Sequence, residues 1–248
     1  MTDKLFNALV VTEQEGKVFT RQVTKRSITD LPQGDVLVRV HYSSLNYKDA
    51  LSASGNRGVT KKYPHTPGID AAGVVAASDT SLVAPGDPVI VTSYDLGMNT
   101  SGGFGEYIRV PEDWVVPLPD GMTLKQSMAF GTAGLTAALS VYRLLHAGVT
   151  PDMGEVLVTG ASGGVGTIAL MILCREGFDV VAVNGRKDET AFLTDLGAKS
   201  VIPLDEMAKA DTPLLMKERW AGCVDTVGGD ILATAIKSTC QNGVVTCF

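Results

Sequence analysis

The sequence predicts an α/β chain written in two halves, a mainly β domain over residues 1–122 and a doubly wound parallel sheet over residues 123–248. Up to about Gly121, short β segments alternate with Gly- and Pro-containing turns. From Thr123, strands alternate with helical stretches, and that alternation lays successive strands side by side in parallel. A third observation is the stretch VLVTGASGGVGTIAL, residues 156–170, where an apolar run meets Gly160, Gly163, Gly164 and Gly166 and then an apolar helical pattern.

In chain order, the β half reads as ALVVTEQEGKVFT, DVLVRVHYSSLN, AAGVVAAS, DPVIVTSY, GEYIRV and WVVPL, with PGD and SGG as turns. The second half opens on one helix, TLKQSMAFGTAGLTAALSVYRLLHAG. Strands are then expected at 156–159, 180–184, 200–202, 223–227 and 244–247, with helical stretches between them.

Composition narrows the function classes. The 248 residues are 45% hydrophobic, enough to build one large core or two modest ones. The net charge of −6 is spread along the chain, with no basic run longer than a pair such as Lys61 and Lys62, which disfavours nucleic acid as a partner. MTDKLFNALV lacks the apolar core of a signal peptide, and no apolar run approaches the roughly 20 residues of a membrane span, so a cytoplasmic location and no membrane partner are expected. Cys174, Cys223, Cys240 and Cys247 include no C-x-x-C pair and read as small buried hydrophobes rather than disulfides or metal ligands.

The glycine turn is suited to phosphate. The first N–H groups of a helix have no intrahelical acceptor, the macrodipole adds partial positive charge there, and glycines let a pyrophosphate approach the backbone. Such turns also serve as plain packing devices, but this one follows the first strand of its half, where a mononucleotide-binding fold carries its phosphate site. The second strand ends in Asn184, Gly185 and Arg186, and the first acid comes only at Asp188. An arginine pairs with a 2′-phosphate that a carboxylate repels, which favours NADPH over NADH; a solvated turn arginine is the alternative. A short-chain dehydrogenase is excluded by spacing, because about 155 residues precede the turn and no tyrosine follows Tyr142 to supply a Tyr-x-x-x-Lys pair.

Taken together, YSSLNYKDAL, YPHTPGIDAAGVV, GDPVIVTSYDLG, GGFGEYIRVPEDWVVPLP, GTAGLTAALSV and VLVTGASGGVG resemble the zinc-independent quinone oxidoreductase branch of the medium-chain dehydrogenase/reductase superfamily. More narrowly, they resemble its YhdH/YhfP group, which contains NADPH-dependent acrylyl-CoA reductases. The resemblance implies a GroES-like β domain and a Rossmann domain. It also implies no metal, since Asn46 stands where zinc-dependent relatives carry Cys, and Gly68-Ile69-Asp70 stands where they carry Gly-His-Glu. His41, His65 and His146 show no ligand spacing, and the β half contains no cysteine.

By the same resemblance, Tyr47 contacts cofactor or substrate and is the candidate proton donor, and Asn46 orients substrate or ribose. Helix capping by Asn46 and packing by Tyr47 are the structural alternatives. Thr132 is expected at the phosphate or nicotinamide ribose, Ser162, Gly163, Gly164 and Val165 around the pyrophosphate, and Val227 and Phe248 beside the nicotinamide. Asp70 is read as support for the β fold. Family members continue beyond the position of Phe248, so the Rossmann domain is expected to be incomplete, and full-length members are expected to form homodimers.

Three functions follow. The first is hydride transfer from NADPH to the C=C of a short α,β-unsaturated acyl-CoA such as acrylyl-CoA; the second is reduction of a quinone or enone on the same scaffold. The third is NADPH binding without turnover. Arg57, Lys61 and Lys62 are the candidate basic residues for the phosphates of CoA.

Overall fold

The computed structural model describes residues 4–208, 213–214 and 216–248, with the side chain of Lys187 outside the description. The chain divides into two compact units, Met1–Thr132 and Ala133–Phe248.

In the first unit, β1 (Leu5–Gln14) and β2 (Val18–Ser27) pair antiparallel, from Leu5 opposite Ser27 to Gln14 opposite Val18. The segment ALVVTEQEGKVFT is therefore a hairpin rather than one strand, because Gly16 at φ 75° turns the chain back on itself. Next come β3 (Val36–Tyr42), α1 (Tyr47–Ala53), β4 (Asp70–Ser78), β5 (Pro88–Thr92), β6 (Tyr107–Val110) and β7 (Val115–Pro117). The five strands form one antiparallel sheet in the order β6-β3-β4-β5-β7. Along β3, Val36 and Val38 join a cluster with Val75, Val89, Val91 and Ile108, while Leu37 packs on the other face with Phe6, Ala8 and Tyr107. Burial on both faces explains why this strand is apolar at consecutive positions.

The helix α2 (Leu124–His146) crosses the division between the units and is interrupted at Gly131, φ 50° and ψ −153°. The second unit continues with β8 (Glu155–Val158), α3 (Gly164–Arg175), β9 (Val180–Asn184), α4 (Thr190–Asp195), β10 (Ser200–Pro203), α5 (Leu204–Met207), β11 (Trp220–Asp225), α6 (Gly229–Lys237) and β12 (Thr239–Cys247). Its strands are all parallel, in the order β10-β9-β8-β11-β12. Val156, Val158, Val180 and Ala182 face one apolar cluster, and Leu157, Val181 and Val183 face another, so both faces of the sheet are covered. The order reverses between β8 and β11, and open α/β sheets bind ligands at the carboxyl ends of such strands.

Three expectations are corrected. The last strand begins at Thr239 rather than at 244: Asn242 takes a left-handed φ of 65° and the pairing with β11 shifts register there, so residues expected to precede the strand form a bulge inside the ladder. Only Cys223 among the four cysteines is buried, and Cys247 is exposed at the end of the edge strand β12; all four are free thiols. By length and composition α2 is a 23-residue helix apolar enough to cross a membrane, contrary to the sequence reading. Its break at Gly131 and its buried stripe of Ala137, Val141 and Leu144, packed on the sheet, are features of a core helix.

Candidate functional site

The phosphate cradle is built by the turn from β8 to α3. Gly160 is left-handed at φ 56°, Ala161 is buried, and Gly163 precedes the first helical residue, Gly164. The N–H groups of Gly164, Val165 and Gly166 precede the first acceptor inside the helix. Gly166 cannot carry a side chain in this arrangement, because a Cβ there stands 2.3 Å from the Gly160 carbonyl oxygen and 2.7 Å from Ala161 Cα. The helix thus packs directly on the turn, and the open cradle in front of Ser162 to Val165 suits a pyrophosphate.

Beside it, the carboxyl end of β9 carries Asn184, Gly185 and Arg186. Ser162 Oγ donates to Asn184 Oδ1 at 2.9 Å, and Asn184 Nδ2 donates to the Arg186 carbonyl at 2.6 Å, which ties the glycine turn to the second strand. These residues border a cavity of about 420 Å³ whose far wall includes Val201 and Leu204, a size and lining suited to an adenosine. The Arg186 side chain is 72% exposed and pairs with Glu189 at 2.7 Å.

On the other side of the turn, Thr159 Oγ1 donates to Asp225 Oδ1 at 2.6 Å and accepts from the Thr226 N–H at 2.9 Å. This lacing fixes the ends of β8 and β11, and Val227 emerges beyond it half exposed. Phe248 is also exposed, after the last residue of β12.

In the first unit, Tyr47 opens α1 and is 80% exposed, whereas Asn46 just before it is embedded in a buried polar network. Its centre is the fully buried carboxylate of Asp70, which accepts from Asn46 Nδ2 at 2.8 Å, from the Thr132 N–H at 3.0 Å and from Thr132 Oγ1 at 2.7 Å, together with the hydroxyls of Ser44 and Thr92. Burial pushes the Asp70 carboxyl up, but the hydrogen bonds from Ser44, Thr132 and Thr92 outweigh it and hold the group below its ordinary range. Gly131 makes this possible. Its backbone bend turns the Thr132 N–H onto Asp70, and a Cβ at Gly131 stands 2.4 Å from Ser44 Oγ and 2.6 Å from Asp70 Oδ2. Asp49, also buried, accepts from the Ile69 N–H and the Asn46 N–H, both at 2.9 Å; burial raises its pKa, opposed by those bonds.

The network settles which end of the Asn46 amide points where. Its nitrogen faces two carboxylates, on Asp70 at 2.8 Å and on Asp49 at 3.4 Å, so its donors are turned inward. Asn46 therefore has no N–H left for a developing oxyanion, whereas the Tyr47 hydroxyl stands in solvent. Of the histidines, His65 is buried with Nε2 on the Gly97 carbonyl at 2.8 Å, and burial lowers its pKa; His146 stacks on Tyr142. Among the described residues, no group of three or more His, Cys, Asp or Glu stands close enough to share a metal ion. Arg57 is committed to Glu13 and to the Lys61 carbonyl.

Residues 32–120 match the family described as the Alcohol dehydrogenase GroES-like domain. The chain is 47% identical over 233 residues to the acrylyl-CoA reductase AcuI of Ruegeria pomeroyi, across 94% of this chain and 71% of that protein. It belongs to the acrylyl-CoA reductase and YhdH/YhfP oxidoreductase family. Two crystal structures from that family are similar at a TM-score of 0.94: the yhdH oxidoreductase from Salmonella enterica in complex with NADP, 42% identical, and the Bacillus subtilis protein yhfP with NAD bound, 44% identical. The first covers 97% of this chain and 74% of its own, the second 98% and 74%. The superfamily is that of the medium-chain dehydrogenases and reductases, as the resemblance implied.

Sequence reasoning missed Glu189 and the Thr159–Asp225 pair, and Asp49, which reads as a solvated partner of Lys48, is buried. An acid three residues after Arg186 at a helix entrance was the available signal for the first. The Thr159–Asp225 pair, 66 residues apart, leaves no local mark; Asp49 caps its own helix three residues after Asn46, which is a local pattern, but its bond from the Ile69 N–H, 20 residues on, is not.

Proposed function

We propose that this chain is a zinc-independent, NADPH-dependent reductase that adds hydride to the β-carbon of a short α,β-unsaturated acyl-CoA such as acrylyl-CoA. The observation that carries the reading is the end of β9, where an asparagine, a glycine and an arginine border an adenosine-sized cavity next to an open helix N-terminus. The likeness to an acrylyl-CoA reductase over 94% of the chain supports the substrate class.

When bound, NADPH supplies the hydride. The chain's own residues then have four tasks. The N–H groups of Gly164, Val165 and Gly166 hold the pyrophosphate, with Ser162 and Gly163 at the rim. Arg186 faces the 2′-phosphate, and Asn184 and Gly185 leave it room. Tyr47 gives a hydrogen bond to the oxygen that becomes an enolate, or a proton to the α-carbon. Asn46, with its amide nitrogen turned inward, is an acceptor that orients a hydroxyl, and Thr132 lies next to it on Asp70. Val227 and Phe248 supply apolar surface for the nicotinamide. The same reading includes a cytoplasmic homodimer.

A quinone or enone reductase is the second reading. It is favoured by the commitment of Arg57 to Glu13, which removes one of three basic residues available for the phosphates of CoA. The test is NADPH consumption with acrylyl-CoA and with a benzoquinone side by side. Faster turnover of acrylyl-CoA is expected. Turnover of the quinone alone moves the chain to the second reading, and NADPH binding without turnover of either moves it to a binding protein.

A further inference from the structure

The Arg186 guanidinium does not face the ribose end of the cavity alone. Its Nη1 is held by Glu189 Oε1 at 2.7 Å. The other oxygen of that carboxylate, Oε2, is sealed from solvent and has no hydrogen-bond partner among the described residues. A buried carboxylate oxygen without a donor is costly, and this one belongs to a residue flanked in the chain by Arg186 and Thr190, which border the cavity, where a ligand can bring a donor. The Ser162 hydroxyl, then Arg186, then the Asn184 amide hold the Glu189 carboxyl below its ordinary range. Ser162 has one proton for two acceptors, and it lies on Asn184 Oδ1 at 2.9 Å.

We propose that Glu189 is a specificity-determining residue of the nucleotide site, a carboxylate that competes with the 2′-phosphate of a dinucleotide for Arg186 and accepts from the free ribose hydroxyls of an unphosphorylated one. This rests on the reading of Arg186 as the residue at the adenosine ribose. A 2′-phosphate carries about two negative charges near neutral pH, so it cannot share Arg186 with an adjacent carboxylate at no cost. It binds by displacing Glu189. A ribose diol does the reverse: its hydroxyls are donors, and Oε2 is an acceptor lacking one. Asp205 lines the same cavity and adds to the negative field there. The site is consequently tuned between the two dinucleotides rather than committed to one, although the end of β9 carries no acid.

The competition predicts opposite signs for one substitution, which a purely structural role does not. Dissociation constants for NADPH, NADH, 2′,5′-ADP and 5′-AMP are measured by titration calorimetry, without turnover, on the protein and on the Glu189→Gln, Glu189→Ala and Arg186→Met variants. The Glu189 side chain is about a quarter exposed, and unchanged melting confirms that the variants fold. Both Glu189 variants should bind NADPH and 2′,5′-ADP roughly 3- to 10-fold more tightly, and NADH and 5′-AMP about 2-fold or more weakly. In an Arg186→Met background, the gain for NADPH should shrink below about 2-fold, since the contested cation is gone. Equal shifts for both nucleotides, or a full gain without Arg186, overturn the proposal. An Arg186→Met variant with an unchanged ratio of NADPH to NADH affinity overturns the reading of Arg186 itself, whatever the Glu189 variants do.

Discussion

Two carboxylates, one in each unit, are held below their ordinary pKa by hydrogen bonds, and they do opposite things. Asp70 is fully buried and every oxygen has donors, from Ser44, Asn46, Thr92 and Thr132. Glu189 has one close cation, Arg186, and one buried oxygen with no donor among the described residues. A saturated centre has nothing to exchange, so it fixes geometry: the bend at Gly131, the direction of the Asn46 amide and the start of α1. An unsaturated centre can trade partners with a ligand. Polar residues of the same type thus divide into scaffold and site by whether their hydrogen bonds close among themselves.

The largest expected effect is at the saturated centre. Asp70→Ala strands five donors around a cavity and should lower unfolding stability by about 3–5 kcal/mol in urea denaturation. A loss under about 1 kcal/mol would mean that Asp70 is not the centre it resembles. In the second unit, Gly166→Ala forces a Cβ against the Gly160 carbonyl, and the turn must shift. Weakening of NADPH binding by roughly 30-fold or more is expected, about 2 kcal/mol, with a smaller change in melting temperature. Equal NADPH affinity in Gly166→Ala and the parent would show that the turn does not hold the pyrophosphate. Tyr47→Phe tests the exposed donor: roughly a tenfold fall in kcat for acrylyl-CoA, about 1.4 kcal/mol, with unchanged stability because the hydroxyl is in solvent. Unchanged kcat moves the donor elsewhere.

The division into scaffold and site also explains what was legible in the sequence. The parallel sheet was legible because strands buried on both faces leave continuous apolar runs, as in Val180–Asn184, and because the glycine turn is a local pattern. The hairpin of β1 and β2 was compressed into one segment, since Glu15-Gly16-Lys17 is a weaker turn signal than PGD or SGG. Asp70 was rightly assigned to the β fold, but its reach to Thr132, 62 residues on, is set by a glycine bend that no periodicity reveals. Asn46 was read as a group aimed at the ligand, with helix capping as the alternative, and it does stand at the cap of α1. Its orientation follows from two carboxylates brought in from β4 and α1, so the direction of its amide was a tertiary property.

The smallest effect concerns acid stability, and here the neighbouring carboxylates Asp70 and Asp49 pull in opposite directions. Asp70 titrates lower in the folded protein than in the unfolded chain, so its contribution is complete above the unfolded value of about 3.9 and is lost as pH falls through the lowered folded value. Asp49 is raised by burial, so the folded state holds its proton longer, and its ionisation costs stability as pH rises from about 3.9 through the raised folded value. Unfolding free energies measured between pH 3 and 6 should therefore fall on the acid side, and Asp70→Asn should flatten that fall whatever it does to the overall level. Asp49→Asn should have the reverse influence on slope, making stability rise more steeply with pH from about 4 upward, because the opposing titration is removed. If Asp70→Asn leaves the acid slope as steep as before, the carboxylate of Asp70 is not ionised by its donors in the folded protein, and the contrast with Glu189 loses its basis.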